Sequence, residues 1–248
     1  MKAIILAGGH GIRLSPFTSF CNKHLLPIYH QGIGTPIIEF GIKSLKEAGI
    51  RDVAIVLGDY HCEDIFSFLK DGSQYDMHFE YFWQGKPLGI AQAVTCADEF
   101  INHPDHEKFI VYLGDNFFSN GIKKFVDNCS DGLFGANLLF AQTKTPEKYG
   151  CPIFSDVAPC PLLKVEEKPE HPRNPLAVSG CYCFDYDFYD AFYQDLLPSN
   201  RGEYELTDLI NLLIKDDIKV KFEMYDGFWS DMGTYESIKE VEKYLELI

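Results

Sequence analysis

The sequence predicts an α/β protein built on a doubly wound mixed sheet, with a smaller subdomain in its second half. In the first half, short apolar segments alternate with segments of helical periodicity, which is the order typical of strands joined by helices. Each apolar segment carries hydrophobic residues at consecutive positions, as strands that are buried on both faces do. In the second half the apolar segments have longer connections, which indicates a subdomain of different character.

Four strands and three helices are predicted in the first half. The strands are expected at residues 2–7, 53–57, 79–83 and 109–113, and the helices at residues 36–48, 62–69 and 90–100. Thr35 is the expected N-cap of the first helix, and Gly49 is its expected end. The fourth strand stops at Gly114-Asp115-Asn116. This places Asp115 at the carboxyl end of a strand, where ligands bind in open α/β sheets.

The second half has four predicted strands and three predicted helices. The strands are expected at residues 133–142, 162–166, 177–184 and 220–225, and helices at residues 186–193 and 204–214. A last amphipathic helix carries Ile238, Val241, Leu245 and Ile248 on one face. Without a repeat or a linker, residues 1–248 are interpreted as one domain, with halves at residues 1–130 and 131–248.

The composition excludes several kinds of partner. The chain has 248 residues, 46% of them hydrophobic, and a net charge of −15. Such an acidic surface repels nucleic acid and anionic membrane. No apolar run approaches the roughly 20 residues of a membrane helix, and the first one ends at Gly8, too early for a signal peptide. We therefore expect a cytoplasmic protein whose eight cysteines are reduced thiols.

The segment that follows the first strand, LAGGHGIRLSP, predicts a phosphate-binding loop. It lacks the spacing of a P-loop, and Leu14 stands where a dinucleotide fingerprint needs its third glycine. Glycines nevertheless let backbone N–H groups approach a phosphate chain. Arg13 and Lys23 supply two cations that could neutralise the same anion.

Motifs along nearly the whole chain resemble those of the sugar nucleotidyltransferases. The first is G-G-x-G-x-R-L-x-P-x-T, followed by K-x-L-L-P. The others, in order, are DGSQY (71–75), Gln84, GIAQA (89–93), LGDN (113–116), YG (149–150), EEKP (166–169), AVSG (177–180), RGEYELTD (201–208) and WSDMGT (229–234). Within the family, the resemblance is greatest to glucose-1-phosphate thymidylyltransferases. It implies a Rossmann-like fold whose smaller subdomain lies on the sugar side.

The resemblance also implies a reaction and a set of functional residues. A sugar 1-phosphate oxygen attacks the α-phosphorus of a nucleoside triphosphate directly, and pyrophosphate leaves. Asp115 and Asp231 would hold Mg²⁺, which binds hard oxygen ligands. Arg13 and Lys23 would be catalytic, with Lys23 holding the sugar phosphate. The residues implied in nucleotide binding are Gly8, Gly9, Gly11, Gln84 and Gly89. Those implied in sugar-phosphate binding are Asn116, Gly150, Glu167, Lys168, Val178 and Arg201.

The nucleotide and the sugar stay open at this point. The amide of Gln84 can pair with the imide edge of thymine or of uracil, so both dTTP and UTP fit. His10, Ile12 and the pair Cys151-Pro152 depart from the family pattern, which leaves the hexose 1-phosphate undetermined. Tyr149 and Trp229 could be pocket walls or core aromatics.

Three further expectations concern class and assembly. A catalytically silent regulator that binds nucleotide sugars would not need all of the catalytic and metal residues. A glycosyltransferase would need a D-x-D metal pair, and the one D-x-D, Asp185-Tyr186-Asp187, is explained by helix capping. Because the chain ends soon after the Asp231 motif, we expect a short form without a regulatory nucleotide site, as a monomer or a small homo-oligomer.

Overall fold

The computed structural model describes residues 1–102 and 108–248. Within these residues the strands β1 to β13 are Lys2–Ala7, Pro27–His30, Ile33–Pro36, Asp52–Leu57, His78–Trp83, Lys108–Leu113, Asn116–Phe118, Ala136–Gln142, Gly150–Phe154, Leu162–Glu167, Leu176–Asp185, Val220–Met224 and Trp229–Asp231. The helices α1 to α8 are Ile37–Glu47, Cys62–Leu69, Ile90–Thr95, Asp98–Ile101, Lys123–Cys129, Tyr186–Tyr193, Leu206–Lys215 and Tyr235–Leu245.

The central sheet has seven strands in the order β12-β8-β11-β6-β1-β4-β5. Strand β1 pairs in parallel with β4 on one side and with β6 on the other. Six strands run in the same direction, and β11 alone is antiparallel to its neighbours β6 and β8. The fold is therefore the doubly wound mixed α/β sheet that the sequence predicts.

Helices cover both faces of this sheet. Ile5 of β1 packs in one apolar cluster with Ile42 of α1 and Ile65 of α2. Its neighbour Ile4 packs on the opposite face with Val94 of α3 and Leu209 of α7. Adjacent β1 residues thus enter different clusters, because successive side chains of a strand point to opposite faces. This burial on both sides explains the continuous apolar run at the start of the sequence.

The antiparallel direction of β11 follows from its connection. A parallel return would need a crossover helix packed on the sheet. Between β8 and β11 the chain instead forms the antiparallel hairpin of β9 and β10, which packs against α7. Its first residue, Gly150, and its last, Glu167, face each other in the ladder. The hairpin forms the smaller subdomain and carries part of the functional site.

A separate small cluster attaches the end of the chain to the sheet. Ile28 of β2, Phe117 of β7 and Val241 of α8 are its buried members, together with Ile37 and Met232. Helix α8 begins with a capping box in which Thr234 and Ser237 bond each other's backbone N–H groups. Through this cluster, α8 supports the short ladder between β7 and β13.

Several element boundaries differ from those predicted. Thr35 is not an N-cap, because it lies in β3 and Pro36 precedes the helix. The predicted helix at 90–100 is two helices, α3 and α4, which are interrupted at Cys96-Ala97. The strand predicted from residue 133 begins at Ala136. Strands β2, β3, β7, β9 and β13 and helix α5 were not predicted at all.

No helix of the described residues has both the length and the apolar composition required to cross a lipid bilayer.

Candidate active site

A cleft of about 380 Å³ opens at the carboxyl edge of the sheet, beside the ends of β6 and β11. Eight of the predicted site residues line it: Arg13, Asp115, Asn116, Gly150, Glu167, Lys168, Val178 and Asp231. The remaining lining residues are Ile90, Leu113, Lys148, Tyr149, Gly180, Tyr182 and Trp229. Residues from both halves of the chain therefore meet in one cavity.

The ladder between β7 and β13 brings the two predicted metal carboxylates together. Asp231 pairs with Asn116 in this antiparallel ladder, so it lies next to the position of Asp115. The backbone N–H of Met232 donates to the carbonyl oxygen of Asp115 at 2.6 Å. Two residues that are distant in sequence thus become neighbours in the cleft.

The two carboxylates have opposite electrostatic environments. Burial alone would raise the pKa of Asp115, but the charge of Lys23 and hydrogen bonds from Lys23 and Asn116 outweigh it and hold that pKa well below its usual value. Burial and the negative charge of Asp115 raise the pKa of Asp231 to about 6, despite a hydrogen bond from Tyr149. Asp115 is therefore compensated by the protein, whereas Asp231 is compensated only in part, by Tyr149 and Arg13.

Lys23 compensates Asp115 by passing beneath the glycine loop. Its Nζ donates to Oδ2 of Asp115 at 2.5 Å, and only 13% of its side chain is exposed. A Cβ atom on Gly9 would lie 3.1 Å from Nζ of Lys23, and one on Gly11 would lie 2.8 Å from its Cβ. Glycine is thus required at position 11, where φ is also +65°, and Gly9 leaves room for the end of Lys23, a role that the sequence analysis missed.

Arg13 is the more accessible of the two predicted catalytic cations. Its side chain is 60% exposed, and one guanidinium nitrogen lies 4.0 Å from Oδ2 of Asp231. A Cβ atom on Gly233 would stand 2.7 Å from that guanidinium, so a larger residue there would displace the end of the Arg13 side chain. Arg13 can therefore reach an anion in the cleft without giving up a buried partner.

His24 lies buried beside this ion pair. The side-chain nitrogen of Asn22 donates to the carbonyl oxygen of Tyr60. The side-chain oxygen of Asn22 therefore accepts the hydrogen bond from the ring N–H of His24, at 2.8 Å. Burial, together with the charge of Lys23, lowers the pKa of His24 to about 3. The neutral imidazole is thus part of the folded site.

His24 predicts an acid-sensitive fold. The unfolded chain binds a proton at His24 near pH 6.5 and the folded chain only near pH 3. Stability is therefore fully present above pH 6.5 and is lost towards pH 3, with a slope of about 1.4 kcal/mol per unit. Thermal unfolding from pH 7 to pH 5 should show a smaller slope for His24→Gln than for wild type. His78→Gln, at a 60% exposed histidine, is the control and should keep the wild-type slope.

Asn116 serves the neighbouring carboxylate, although it was predicted to bind sugar. Its amide nitrogen donates to Oδ1 of Asp115 at 3.0 Å. Its amide oxygen accepts from Nε1 of Trp229 at 2.7 Å and from the backbone of Gly180 at 3.1 Å. Asn116 is 2% exposed, so these bonds leave its oxygen no room for a sugar hydroxyl. The geometry favours an orienting role for Asn116.

The predicted sugar-phosphate residues are grouped around Glu167. This carboxylate lies 3.2 Å from Nζ of Lys168, accepts from Thr207 at 3.1 Å and lies 3.5 Å from Arg201. Gly150 and Val178 line the cleft beside it. Arg201 lies outside the cleft lining, where Glu203 and Glu205 also bind it at 2.9 and 3.3 Å. The predicted phosphate contact of Arg201 would therefore require it to leave these partners.

The predicted nucleotide residues form an adjoining group at the ends of β1 and β5. The backbone N–H of Gln84 donates to the carbonyl of Leu57, which extends the ladder between β4 and β5. Its side-chain nitrogen lies 3.3 Å from the carbonyl oxygen of Gly89, and its oxygen faces Gly8. A Cβ atom on Gly8 would lie 2.7 Å from that oxygen. The structure thus brings Gly8, Gln84 and Gly89 together.

Sequence reasoning missed several residues that line the cleft. Tyr182 is 6% exposed and reads in sequence as an ordinary core aromatic of β11. Lys148 adds a third cation beside Arg13 and Lys168. Tyr149 and Trp229, which were left open, are both pocket walls and pack edge to face at 5.0 Å. The hydroxyl of Tyr149 donates to Oδ1 of Asp231 at 2.9 Å.

Asp115 and Asp231 fit a divalent cation. Hard cations take carboxylate oxygens, and one or two protein carboxylates suffice for an ion that also binds phosphate. The only partly compensated charge of Asp231 is the observation that favours a cation here. Elsewhere in residues 1–102 and 108–248, one group of three potential ligands, His61, Glu63 and Asp64, is close enough to share an ion. Its acidic members lie in the first turn of α2, where the helix dipole explains them.

The structure thus combines a doubly wound α/β sheet, a glycine loop after β1 and a cleft in which paired carboxylates face cations. The chain belongs to the nucleotidyl transferase family, whose profile matches residues 2–247.

Individual relatives agree with this assignment. The chain is 36% identical over 243 residues to the low-salt glycan biosynthesis nucleotidyltransferase Agl11 of Haloferax volcanii, covering 98% of this chain and 65% of that protein. It is 33% identical to the glucose-1-phosphate thymidylyltransferase of Neisseria meningitidis, covering 100% of this chain and 83% of that enzyme. A Bacillus anthracis crystal structure with sucrose, described as a glucose-1-phosphate thymidylyltransferase, superposes with a TM-score of 0.88 at 35% identity, covering 100% and 96% of the two chains. The first of these relatives is longer, so the chain spans about two thirds of its length.

Proposed function

We propose that the protein is an Mg²⁺-dependent nucleotidyltransferase that joins dTTP and glucose 1-phosphate to form dTDP-glucose and pyrophosphate. The observation that carries the proposal is the arrangement of charge in the cleft. Asp115 and Asp231 lie side by side, and Arg13 and Lys23 reach them from the glycine loop. Such a site can hold two anions and the extra charge of a leaving group.

The chain's own residues would act mainly by positioning and electrostatics. Direct attack of a phosphate oxygen on the α-phosphorus needs two anions in line, and it needs no nucleophilic side chain. Arg13 would bind the triphosphate, because it is exposed and has no buried partner to lose. Lys168 and Lys148, on the other wall, would bind the sugar 1-phosphate. When bound, Mg²⁺ would lower the repulsion between the phosphates.

Lys23 would act differently from the role given by the resemblance. It was expected to hold the sugar phosphate, but its ammonium group is bound to Asp115 and is largely buried. In our proposal it keeps Asp115 ionised and adds positive potential beneath the phosphates. Asn116 would fix the orientation of the same carboxylate by donating to it directly. Trp229 would hold Asn116 in place by donating to its amide oxygen.

The sugar would be recognised by Glu167 and the residues beside it. A carboxylate can accept two hydroxyl groups of a hexose, and Gly150 and Val178 beside it leave space for the ring. The names of the similar enzymes from Neisseria meningitidis and Bacillus anthracis support glucose 1-phosphate as the first substrate to test. A different hexose 1-phosphate, or UTP in place of dTTP, is the nearest alternative. A silent nucleotide-sugar binder is less favoured, because Arg13, Asp115 and Asp231 line the cleft and Lys23 is bound to Asp115.

Pyrophosphate release tests this function directly. The assay pairs dTTP, UTP, dCTP, ATP and GTP with glucose 1-phosphate and with other hexose 1-phosphates. We expect the highest kcat/KM with dTTP and glucose 1-phosphate, and loss of turnover when EDTA removes divalent cations. Turnover that is absent with every pair, in protein that binds the nucleotides, would instead identify a silent binder.

The orienting role of Trp229 makes a separate prediction. Trp229→Phe keeps an aromatic ring but removes the N–H that donates to Asn116. Because Asp115 then loses a fixed partner, we expect kcat to fall about tenfold, the size of one hydrogen bond. The Mg²⁺ concentration for half-maximal activity should rise as well. Trp83→Phe, at a tryptophan that is 55% exposed, is the matched control and should change neither value.

A further inference from the structure

The amide group of Gln84 is held in one orientation by two acceptors. Its nitrogen donates to Oε1 of Gln92 at 3.0 Å and to the carbonyl oxygen of Gly89 at 3.3 Å. An amide nitrogen carries two hydrogens, so both are used within the protein. Only the oxygen of Gln84 is left to face a ligand, and this is the atom that lies over Gly8.

The orientation of Gln92 is fixed in turn by Cys96, one helical turn further along. The amide nitrogen of Gln92 donates to Sγ of Cys96 at 3.3 Å. The thiol donates back to the carbonyl oxygen of Gln92 at 3.4 Å, and burial, which raises the pKa of this thiol, keeps it protonated. With its nitrogen bound to sulfur, Gln92 turns its oxygen towards Gln84.

We propose that Gln92 determines the base selectivity of this enzyme, because it forces Gln84 to offer a hydrogen-bond acceptor to the base. The inference rests on the proposed function, in which Gln84 meets the nucleotide base. In the sequence analysis the amide of Gln84 could both donate to the base and accept from it, whereas in this arrangement it can only accept. Gln92 touches no substrate in this arrangement, and it acts as a positioning residue.

A fixed acceptor selects bases by the hydrogen on their ring nitrogen. Thymine and uracil carry N3–H, which donates to the oxygen of Gln84. Cytosine has a lone pair at N3, which would face the lone pairs of that oxygen. The mismatch leaves both groups without a partner, which disfavours cytosine by about tenfold or more. Selection against cytosine therefore depends on the orientation of one amide, and this orientation depends on Gln92.

Two substitutions at Gln92 distinguish its effect on the orientation of the Gln84 amide from its effect on packing. Gln92→Met has a similar length and removes the closer of the two acceptors of Gln84, so the carbonyl of Gly89 alone opposes rotation of the amide nitrogen towards cytosine. Gln92→Glu keeps an oxygen facing Gln84 and is the matched control. The experiment measures kcat/KM for dTTP and dCTP at saturating glucose 1-phosphate, and the affinity of each nucleotide by calorimetry without the sugar.

We expect Gln92→Met to lower the dTTP to dCTP ratio of kcat/KM by about tenfold, with a parallel change in the ratio of affinities. Gln92→Glu should keep the wild-type ratio within about threefold. Equal ratios for wild type and Gln92→Met, with dTTP turnover intact in both, would overturn the inference and leave the proposed function standing. Absence of turnover in the wild type would refute the proposed function instead, and the calorimetric ratios would still decide the role of Gln92.

Discussion

Asp231→Asn is expected to abolish turnover and, at the same time, to raise the melting temperature of the metal-free protein. Turnover should fall by more than about 10²-fold, the size of a lost electrostatic contact in such sites. The stability should rise because ionised Asp231 is unfavourable in the fold, as shown by its pKa of about 6 against an ordinary 3.8. At about 1.4 kcal/mol per unit, the gain is at most about 3 kcal/mol.

Asp115→Asn is the matched comparison, because it makes the same change at the neighbouring carboxylate. Turnover should again fall by more than about 10²-fold, but the melting temperature should fall as well. Lys23 and Asn116 stabilise ionised Asp115, and the substitution leaves the buried ammonium of Lys23 without its negative partner. Each kcal/mol corresponds to about 2–4 °C in a protein of this size, so the two variants should separate clearly.

Calorimetry in EDTA as a function of pH tests the cause of the Asp231 effect. The penalty from Asp231 is fully present above pH 6, where the folded protein must ionise it, and it vanishes as the pH falls towards 3.8. The advantage of Asp231→Asn should therefore shrink between pH 6 and pH 4. A variant that melts below wild type at pH 7 would contradict this account of the site.

Lys23→Met is expected to damage both activity and stability, whereas Arg13→Met should damage activity alone. Lys23 is buried against Asp115, and breaking a buried pair costs about 3–5 kcal/mol. Arg13 is mostly exposed and lies 4.0 Å from its nearest carboxylate, so its loss should change the free energy of unfolding by less than about 0.5 kcal/mol. Both variants should lose more than about 10²-fold in turnover.

The double variant Lys23→Met/Asp115→Asn distinguishes the pair from the individual residues. With both charges gone, most of the lost stability should return, because the penalty comes from leaving one charge alone. Activity should not return, since the carboxylate is missing. Urea unfolding of the four proteins measures the coupling, and strictly additive losses of stability would rule out the ion pair as their source.

The sequence predicted the sheet core well because its strands carry a local signal. The apolar runs of β1, β4 and β6 were each located within one residue, since burial on both faces leaves little room for polar residues. The edge strand β5 was also located within one residue, although only Phe79 of it is buried. The bounds of α2 and α6 were predicted without error for a similar reason, as both show clear amphipathic periodicity.

Elements decided by tertiary contacts were not predicted. Helix 90–100 shows continuous periodicity, but the side chains of Thr95 and Cys96 bond back to the carbonyl of Gln92. Such bonds compete with the helical ladder, and the helix is interrupted there. Strands β7 and β13 have three residues each, too few for a periodic pattern to show.

The residues of the candidate site also differ in whether a local sequence signal could predict them. Asp115 could be located from residues alone, because it directly follows an apolar strand. Asp231 was expected only through the resemblance, since nothing in its local sequence points to a partner 116 positions away. The bond between Lys23 and Asp115 links residues 92 positions apart. The sequence contains many opposite charges and does not show which of them form ion pairs in the fold.

The short ladder between β7 and β13 affects the order in which this protein loses its activity and its structure. It joins residues 116–118 to residues 229–231, so the cleft is completed only when the last part of the chain returns to the middle. The ladder has three residue pairs and lies outside the seven-stranded sheet, so it can open locally at a lower free energy than the core. On gentle heating, amide exchange at the ladder and loss of catalysis should therefore precede melting of the sheet, so the enzyme would become inactive while it is still largely folded.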